Sequence, residues 1–194
     1  MNRADFKSRS AGLGRYFLGL IQVILNPRQG WTDAEKDNYN VNGLIFKGFL
    51  PFLIVVALSP LVSAYFKLAL SFREAIIEGI VYFSGYFVSI YLCSYLLSWC
   101  MTRWVEPKRQ DPNAVMTLVL YSISTMALIT LLTNLLPVDL SLWNFLPLYV
   151  IYMIWRGEHY MRVPFERRPQ YLACGVGALF FPPYILIYCL SMIV

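Results

Sequence analysis

The chain has 194 residues, 58% of them hydrophobic and 14% charged, with a formal charge of +5 and a pI near 9. Soluble domains carry roughly 25% charged residues, so this composition excludes an ordinary soluble enzyme and points to one domain built into a bilayer. In so apolar a chain the positive balance fits basic loops facing anionic headgroups and excludes nucleic acid as the expected partner.

Residues 1–42 read as a cytoplasmic tail that carries one interfacial helix. The first twelve residues are polar and basic, and no apolar run followed by a small-residue cleavage site makes them a signal peptide. Leu13, Tyr16, Phe17, Leu20, Ile21 and Ile24 then recur at helical spacing, with Arg15 and Gln22 off that face. The segment is too short to span about 30 Å of hydrocarbon. It suits an amphipathic helix in the inner interface, with Tyr16, Phe17, Leu20 and Ile24 turned inward; a helix packed on the bundle is the alternative. Asn26-Pro27 stops it, and Thr32-Asp33-Ala34-Glu35 has the form of a capping box that opens a short polar helix.

Residues 43–194 read as the membrane domain, with five spans at about 48–66, 79–101, 114–136, 140–155 and 171–194. The first lies between Lys47 and Lys67, and the twenty steps from one lysine to the other rise about 30 Å at 1.5 Å each. Pro51 and Pro60 should kink it. Arg73, Glu74 and Glu78 mark a tight outer turn before the second span, which ends near the interfacial Trp99 and Trp104. Arg103, Glu106, Lys108, Arg109 and Asp111 form the next loop. The third span carries Thr117, Tyr121, Ser122, Ser124, Thr125, Thr130, Thr133 and Asn134; such hydroxyls bond their own backbone or a neighbouring helix. The fourth is short for a crossing. In the fifth, Ala173 and Gly177 form a small-xxx-small pair that admits a close helix, and Pro182-Pro183 breaks the run.

Lysine and arginine counts give the orientation. Fourteen of the sixteen fall in the N-terminal region, the 103–112 loop or the 156–168 loop, and only Lys67 and Arg73 remain for the other side. An N-terminus in the cytoplasm and a C-terminus outside follow.

Cys93, Cys100, Cys174 and Cys189 all sit in apolar segments and none makes a Cys-x-x-Cys pair, so they read as small packing residues. Cys93 and Cys100 lie about 10 Å apart along one helix face, too far for a disulfide. His159 is the only histidine, which excludes a two-histidine metal site, and no acid lies deep in a span. No residue pattern calls for a cofactor, a metal or catalysis.

The order of certain motifs resembles the Yip family, five-pass membrane proteins named for interaction with Ypt/Rab GTPases, and in particular its bacterial branch. The matching stretches are Asn26-Pro27-Arg28 with Trp31, Leu120-Tyr121-Ser122-Ile123-Ser124-Thr125, Leu136-Pro137, and Gly157 followed by Met161-Arg162-Val163-Pro164-Phe165-Glu166-Arg167. Met126 stands where that branch often has proline, and the Asp-Leu-Tyr-Gly-Pro motif of the eukaryotic branch is absent, so Rab binding is not carried over. The resemblance implies a five-helix bundle in a bacterial inner membrane without a settled activity.

A scaffold or adaptor is the expected function, with Lys108, Arg109, Arg156, Arg162, Arg167 and Arg168 as a cytoplasmic docking surface for anionic headgroups or an acidic protein segment. Room is left for a homo-oligomer. The alternative is a small-solute or lipid transporter, with Asn134, Asn144 and the third-span hydroxyls lining a cavity.

Overall fold

The structure is a computed structural model that describes residues 3–37, 41–67, 71–104, 111–136 and 145–193. Among these residues the regular structure is all helical. The first helix, α1 (Arg3–Leu25), starts well ahead of the periodic stretch and ends, as expected, at Asn26-Pro27. The second, α2 (Pro27–Asp37), begins at Pro27 itself, whose fixed φ and missing N–H suit a first turn. Asn26 caps it by accepting the Gln29 backbone N–H at 3.4 Å. Thr32 is therefore no cap. It lies inside α2 and donates to the Arg28 carbonyl at 2.9 Å. A reciprocal capping box does occur at Ser71 and Glu74, where the Ser71 N–H meets the Glu74 carboxylate at 2.7 Å and the Glu74 N–H meets the Ser71 hydroxyl at 3.3 Å.

Helix α3 (Val41–Leu44), a single π-helical turn (Ile45–Phe49) and α4 (Leu50–Lys67) form one continuous rod. Pro51 has no N–H to return to the carbonyl four residues back. The π turn just before it absorbs this by directing the Leu50 N–H to Ile45. Helix α5 (Phe72–Trp104) has 33 residues, about 50 Å, and extends past the expected span at both ends. The cluster Arg73, Glu74 and Glu78 lies on its opening turns instead of in a loop. Helix α6 (Pro112–Leu135) is capped by Asp111, whose side chain accepts the Asn113 N–H at 2.9 Å.

The segment expected as a fourth span is helical over only nine described residues, α7 (Leu148–Arg156), about 14 Å of rise. Residues 137–144 lie outside the described residues. The last run consists of α8 (Arg168–Leu179) and α9 (Phe181–Ile193), broken at Phe180 ahead of Pro182-Pro183. Among the described residues, four helical runs are long and apolar enough to cross a membrane, Val41–Phe66, Phe72–Trp104, Pro112–Leu135 and Phe165–Ile193, with Leu13–Leu25 as a shorter apolar helix. The expected span at 140–155 does not meet this criterion over its described residues, since α7 covers under half of about 30 Å, and its first part lies outside the described residues.

Helix α6 is the hub. Every residue from Val115 to Ala127 except Met116 is buried, and α6 touches α1, α4, α5, α7 and α8. Helix α7 runs back along it: Met153 meets Thr125, with oxygen to sulfur at 3.6 Å, and Gly157 lies against Leu118. The 156–168 loop therefore returns to the end of the bundle where α6 begins.

Helix α1 is packed on the bundle along the face expected to enter lipid. Tyr16 and Leu20 are fully buried, and Phe17 and Ile24 are half-buried against the core. The Tyr16 ring stacks on Tyr121 with centroids 5.9 Å apart, its hydroxyl bonds Ser124, and Phe17 meets Phe52 edge-on at 5.4 Å. The exposed apolar stripe is Leu18, Ile21 and Leu25, at 68%, 46% and 79% exposure. A second correction concerns α8. Ala173 and Gly177 point outward, and Gly175 provides the close approach, since a Cβ there would lie 2.6 Å from Ile154 Cγ2. The four cysteines are free thiols.

Candidate functional site

Glu35 of α2 meets the 156–168 loop, through Arg162, at the end of the bundle where α6 begins. What holds that end together is the finish of α7. A helix leaves its last four carbonyls without intrahelical partners, and here other elements supply donors. The Trp31 indole N–H of α2 bonds the Met153 carbonyl at 3.1 Å, and the Tyr171 hydroxyl of α8 bonds the Ile154 carbonyl at 3.0 Å. Trp31 is buried and stacks on Tyr160 of the loop at 5.4 Å. Burial pushes the Tyr160 phenol above its ordinary pKa against a lowering hydrogen bond with Thr117, so it stays neutral. Gly157 makes the turn possible, because a Cβ there would press on Leu118 at 2.8 Å and on the Ile154 carbonyl and Tyr171 hydroxyl at 3.2 Å.

Beyond Gly157 the chain folds on itself. The Met161 N–H returns to the Gly157 carbonyl, Arg162 to His159 and Val163 to Glu158, each at 3.0 Å. Arg162 takes a positive φ of 51° to close this turn. Glu158 is only 8% exposed, and its Oε1 lies 3.3 Å from Arg168 Nη1 and 3.6 Å from His159 Nε2.

Each expected docking arginine can now be placed. The Arg156 guanidinium lies over the rings of Tyr152 and Trp155, at 5.2 and 4.9 Å, and donates to the Tyr152 hydroxyl at 3.1 Å. Arg162 pairs with Glu35 of α2 at 3.0 Å. Arg168 pairs with Glu158 and covers the Phe165 ring at 4.8 Å. Arg167 is exposed on the short 3-10 turn Phe165–Arg167, beside the exposed Phe165 and Glu166. Lys108 and Arg109 lie outside the described residues. The arginines share one loop, yet three of them are held by different neighbours, and they do not converge on one point.

Sequence reading took Trp31 only as part of a family resemblance and Tyr171 only as the start of a span, and missed that both anchor the end of α7. Their signal was faint: a lone tryptophan in a polar segment and a tyrosine at the mouth of an apolar run are both usual at interfaces. Of the third-span hydroxyls, the main support for a transport pathway, three bond backbone one turn back, Thr117 to Asn113 at 2.8 Å, Ser124 to Leu120 at 2.5 Å and Thr125 to Tyr121 at 2.8 Å. Thr130 meets the Tyr86 hydroxyl of α5 at 2.6 Å, and Ser122 is buried without a hydrogen bond among the described residues. Asn134 donates to Ser59 of α4 at 2.8 Å. The backbone bonds satisfy these hydroxyls within α6, and the Asn134 and Thr130 bonds tie α6 to its neighbours α4 and α5. Among the described residues no three histidine, cysteine or acidic side chains gather where a metal would sit. No family model, curated protein or solved structure matches the chain.

Proposed function

We propose that the chain is a non-enzymatic integral membrane protein of Yip type, a scaffold that presents a rigid charged face to a partner at the inner surface of a bacterial inner membrane. In this reading α7 and the residues before it complete a fifth pass, so that the N-terminus is cytoplasmic and the C-terminus outside. The course of α7 back along α6 supports that count, and the lysine and arginine asymmetry supports the direction.

The observation that carries the scaffold reading is the anchoring of the 156–168 loop. Trp31, Tyr171 and the Glu158–Arg168 pair fix its base on the bundle, and the exposed Phe165, Glu166 and Arg167 are displayed from it. A preformed surface binds with little ordering cost. Arginine beside an aromatic ring suits an acidic segment or a headgroup.

A photo-crosslinking residue at Phe165 should give discrete adducts in cells, and the same residue at Tyr65, exposed on α4, should not give those adducts. The double variant Arg162→Gln, Arg167→Gln should abolish the Phe165 adducts at unchanged abundance. Arg168 is spared because Glu158 depends on it. Adducts that persist in the double variant would sink the docking role.

A further inference from the structure

Glu78, expected in the outer turn before the second span, instead lies about two turns into α5. Its neighbour Gly79 rests on the Ala57 carbonyl of α4. Ala57 stands midway between Lys47 and Lys67, about 15 Å of rise from each. Lysines at the two ends of an apolar run reach for the headgroups. Glu78 therefore enters the apolar part of the α4–α5 pair, at the end of the bundle away from the 156–168 loop.

Three helices hold that carboxylate in place. The Tyr82 hydroxyl donates to Oε1 of Glu78 at 2.5 Å. Asn134 of α6 meets the same Tyr82 hydroxyl and donates to Ser59 of α4 at 2.8 Å. None of the ion pairs among the described residues includes Glu78. From α4 and α6 the cluster receives only neutral groups, and the titratable neighbours are phenols, Tyr82 and Tyr86 of α5 with Tyr184 of α9. The charges nearest along α5, Arg73 and Glu74, are exposed on its first turn. A carboxylate at membrane depth is costly without a positive charge, and by default it marks an ion or proton path.

The oxygens left over decide which positive charge fits. Hard divalent cations take about six oxygens or more. Here Ser59 donates to the Val56 carbonyl at 2.7 Å and accepts from Asn134, while Tyr86 and Thr130 bond each other at 2.6 Å. That leaves Oε2 of the half-buried Glu78, which has no hydrogen bond to the described residues. One oxygen suffices for a proton. We propose that Glu78 is a proton-binding site within the membrane domain. Oε2 takes up the proton, the carboxylate becomes a neutral acid, and Oε1 keeps the Tyr82 hydrogen bond. The inference goes beyond the docking role and rests on the membrane reading alone, which alkaline extraction of membranes tests separately. A chain released by alkali sinks both, whereas an alkali-resistant chain that fails the labelling test loses only the proton site.

Dicyclohexylcarbodiimide, an apolar reagent for protonated carboxyl groups, should modify Glu78 of the full chain in opened membranes, as read by peptide mass. Glu74, exposed one turn away, should react instead with a water-soluble carbodiimide. On its alkaline limb the Glu78 labelling should fall about tenfold per pH unit, as for one proton. Glu78→Gln should remove the adduct, and with it a protonated-carboxyl band in pH-difference infrared spectra of the purified chain. If that variant does not fold, the two reagents and the infrared titration of the wild type carry the test. Reaction of Glu78 with the water-soluble reagent as readily as Glu74 would place it in water at the headgroups. Protection by sodium chloride, but not by choline chloride at the same pH, would make a metal cation the occupant. Either result, an unlabelled Glu78, or labelling that ignores pH would overturn the proposal.

Discussion

Helix α6 and the α8–α9 run look alike as strings of letters. Neither carries a charge between Pro112 and Leu135 or between Pro169 and Ile193. Yet 72% of the most apolar window of α6 is buried, against 22% for the last run. Lipid is as apolar as leucine, so apolarity places a helix in the bilayer without saying which neighbours it has. The difference lies in the other residues. The buried helix is rich in serine and threonine, which let backbones approach and bond locally. The peripheral one shows Tyr184, Ile185, Tyr188, Met192 and Ile193 to the outside.

The sharpest way to break that comparison is to truncate one tyrosine on each helix. Tyr121 is 1% exposed, stacked by Tyr16 and met edge-on by Trp31, whereas Tyr188 is 61% exposed. In water a buried aromatic cut to alanine costs about 3–5 kcal/mol. Lipid removes much of the transfer part and leaves the cavity and lost dispersion, so Tyr121→Ala should cost about 3 kcal/mol. Tyr188→Ala should stay within about 0.5 kcal/mol. Unfolding midpoints in a denaturing detergent read both. Equal shifts would mean that another copy or partner covers α9.

Glycines sharpen the same contrast at a smaller scale. Gly79 of α5 faces the Ala57 carbonyl so closely that no side chain fits between α4 and α5, whereas Gly177 of α8 has nothing within 4 Å of where a Cβ would sit. Overpacking costs about 1–3 kcal/mol, so Gly79→Leu should lower stability by about 2 kcal/mol. Gly177→Leu should leave the detergent midpoint unchanged within about 0.5 kcal/mol.

These pairs also show where the sequence was legible. The ends of α6 were readable to within two residues, since the expected span 114–136 compares with Pro112–Leu135, although Asp111, read as a loop residue, is its cap and Pro112 its first helical residue. The break after Leu25 was readable from Asn26-Pro27. What period and charge do not encode is which of two apolar faces meets protein. On α1 the face with Tyr16 and Leu20 and the face with Leu18, Ile21 and Leu25 both look fit for lipid, and only the partner helices decide. Two Ser/Thr-x-x-Glu strings were present, and the one at Thr32 failed because Pro27 had already started its helix. Of the site, the arginines were legible as a charged loop. Their partners were not, because Glu35 and Arg162 lie 127 positions apart.

The contrast between inside and outside recurs within that loop. Glu158 has a side chain 10% exposed, and its partner Arg168 is 33% exposed. Removing one member of a fully buried pair costs about 3–5 kcal/mol. Partial solvation of Arg168 screens the loss, and Glu158→Gln should cost about 1 kcal/mol. If the loop is built as described, the variant should also raise amide exchange at Met161 and Val163, whose N–H groups close the turn. Unchanged exchange there would separate the ion pair from the turn.

The smallest effect belongs to Arg162, and its sign is informative. Its ion pair with Glu35 is 70% and 45% exposed on the two sides, a class worth about 0–1 kcal/mol. Against that stands its φ of 51°, a left-handed conformation that costs an ordinary L-residue about 1–2 kcal/mol. Glycine adopts it freely but loses about 0.5–1 kcal/mol of extra chain entropy on folding. Arg162→Gly therefore trades a screened ion pair and some entropy for relief of the backbone, and should shift stability by under about 0.5 kcal/mol. Arg162→Gln keeps the unfavourable φ and loses the pair, so it should be the less stable of the two. The two variants remove the same charge, which separates fold from function: both should weaken docking at Phe165 equally while differing in stability. If Arg162→Gly instead lowers stability by more than Arg162→Gln, the contact with Glu35 holds α2 to the loop more strongly than an exposed pair should, and the charged face is a structural clamp before it is a binding surface.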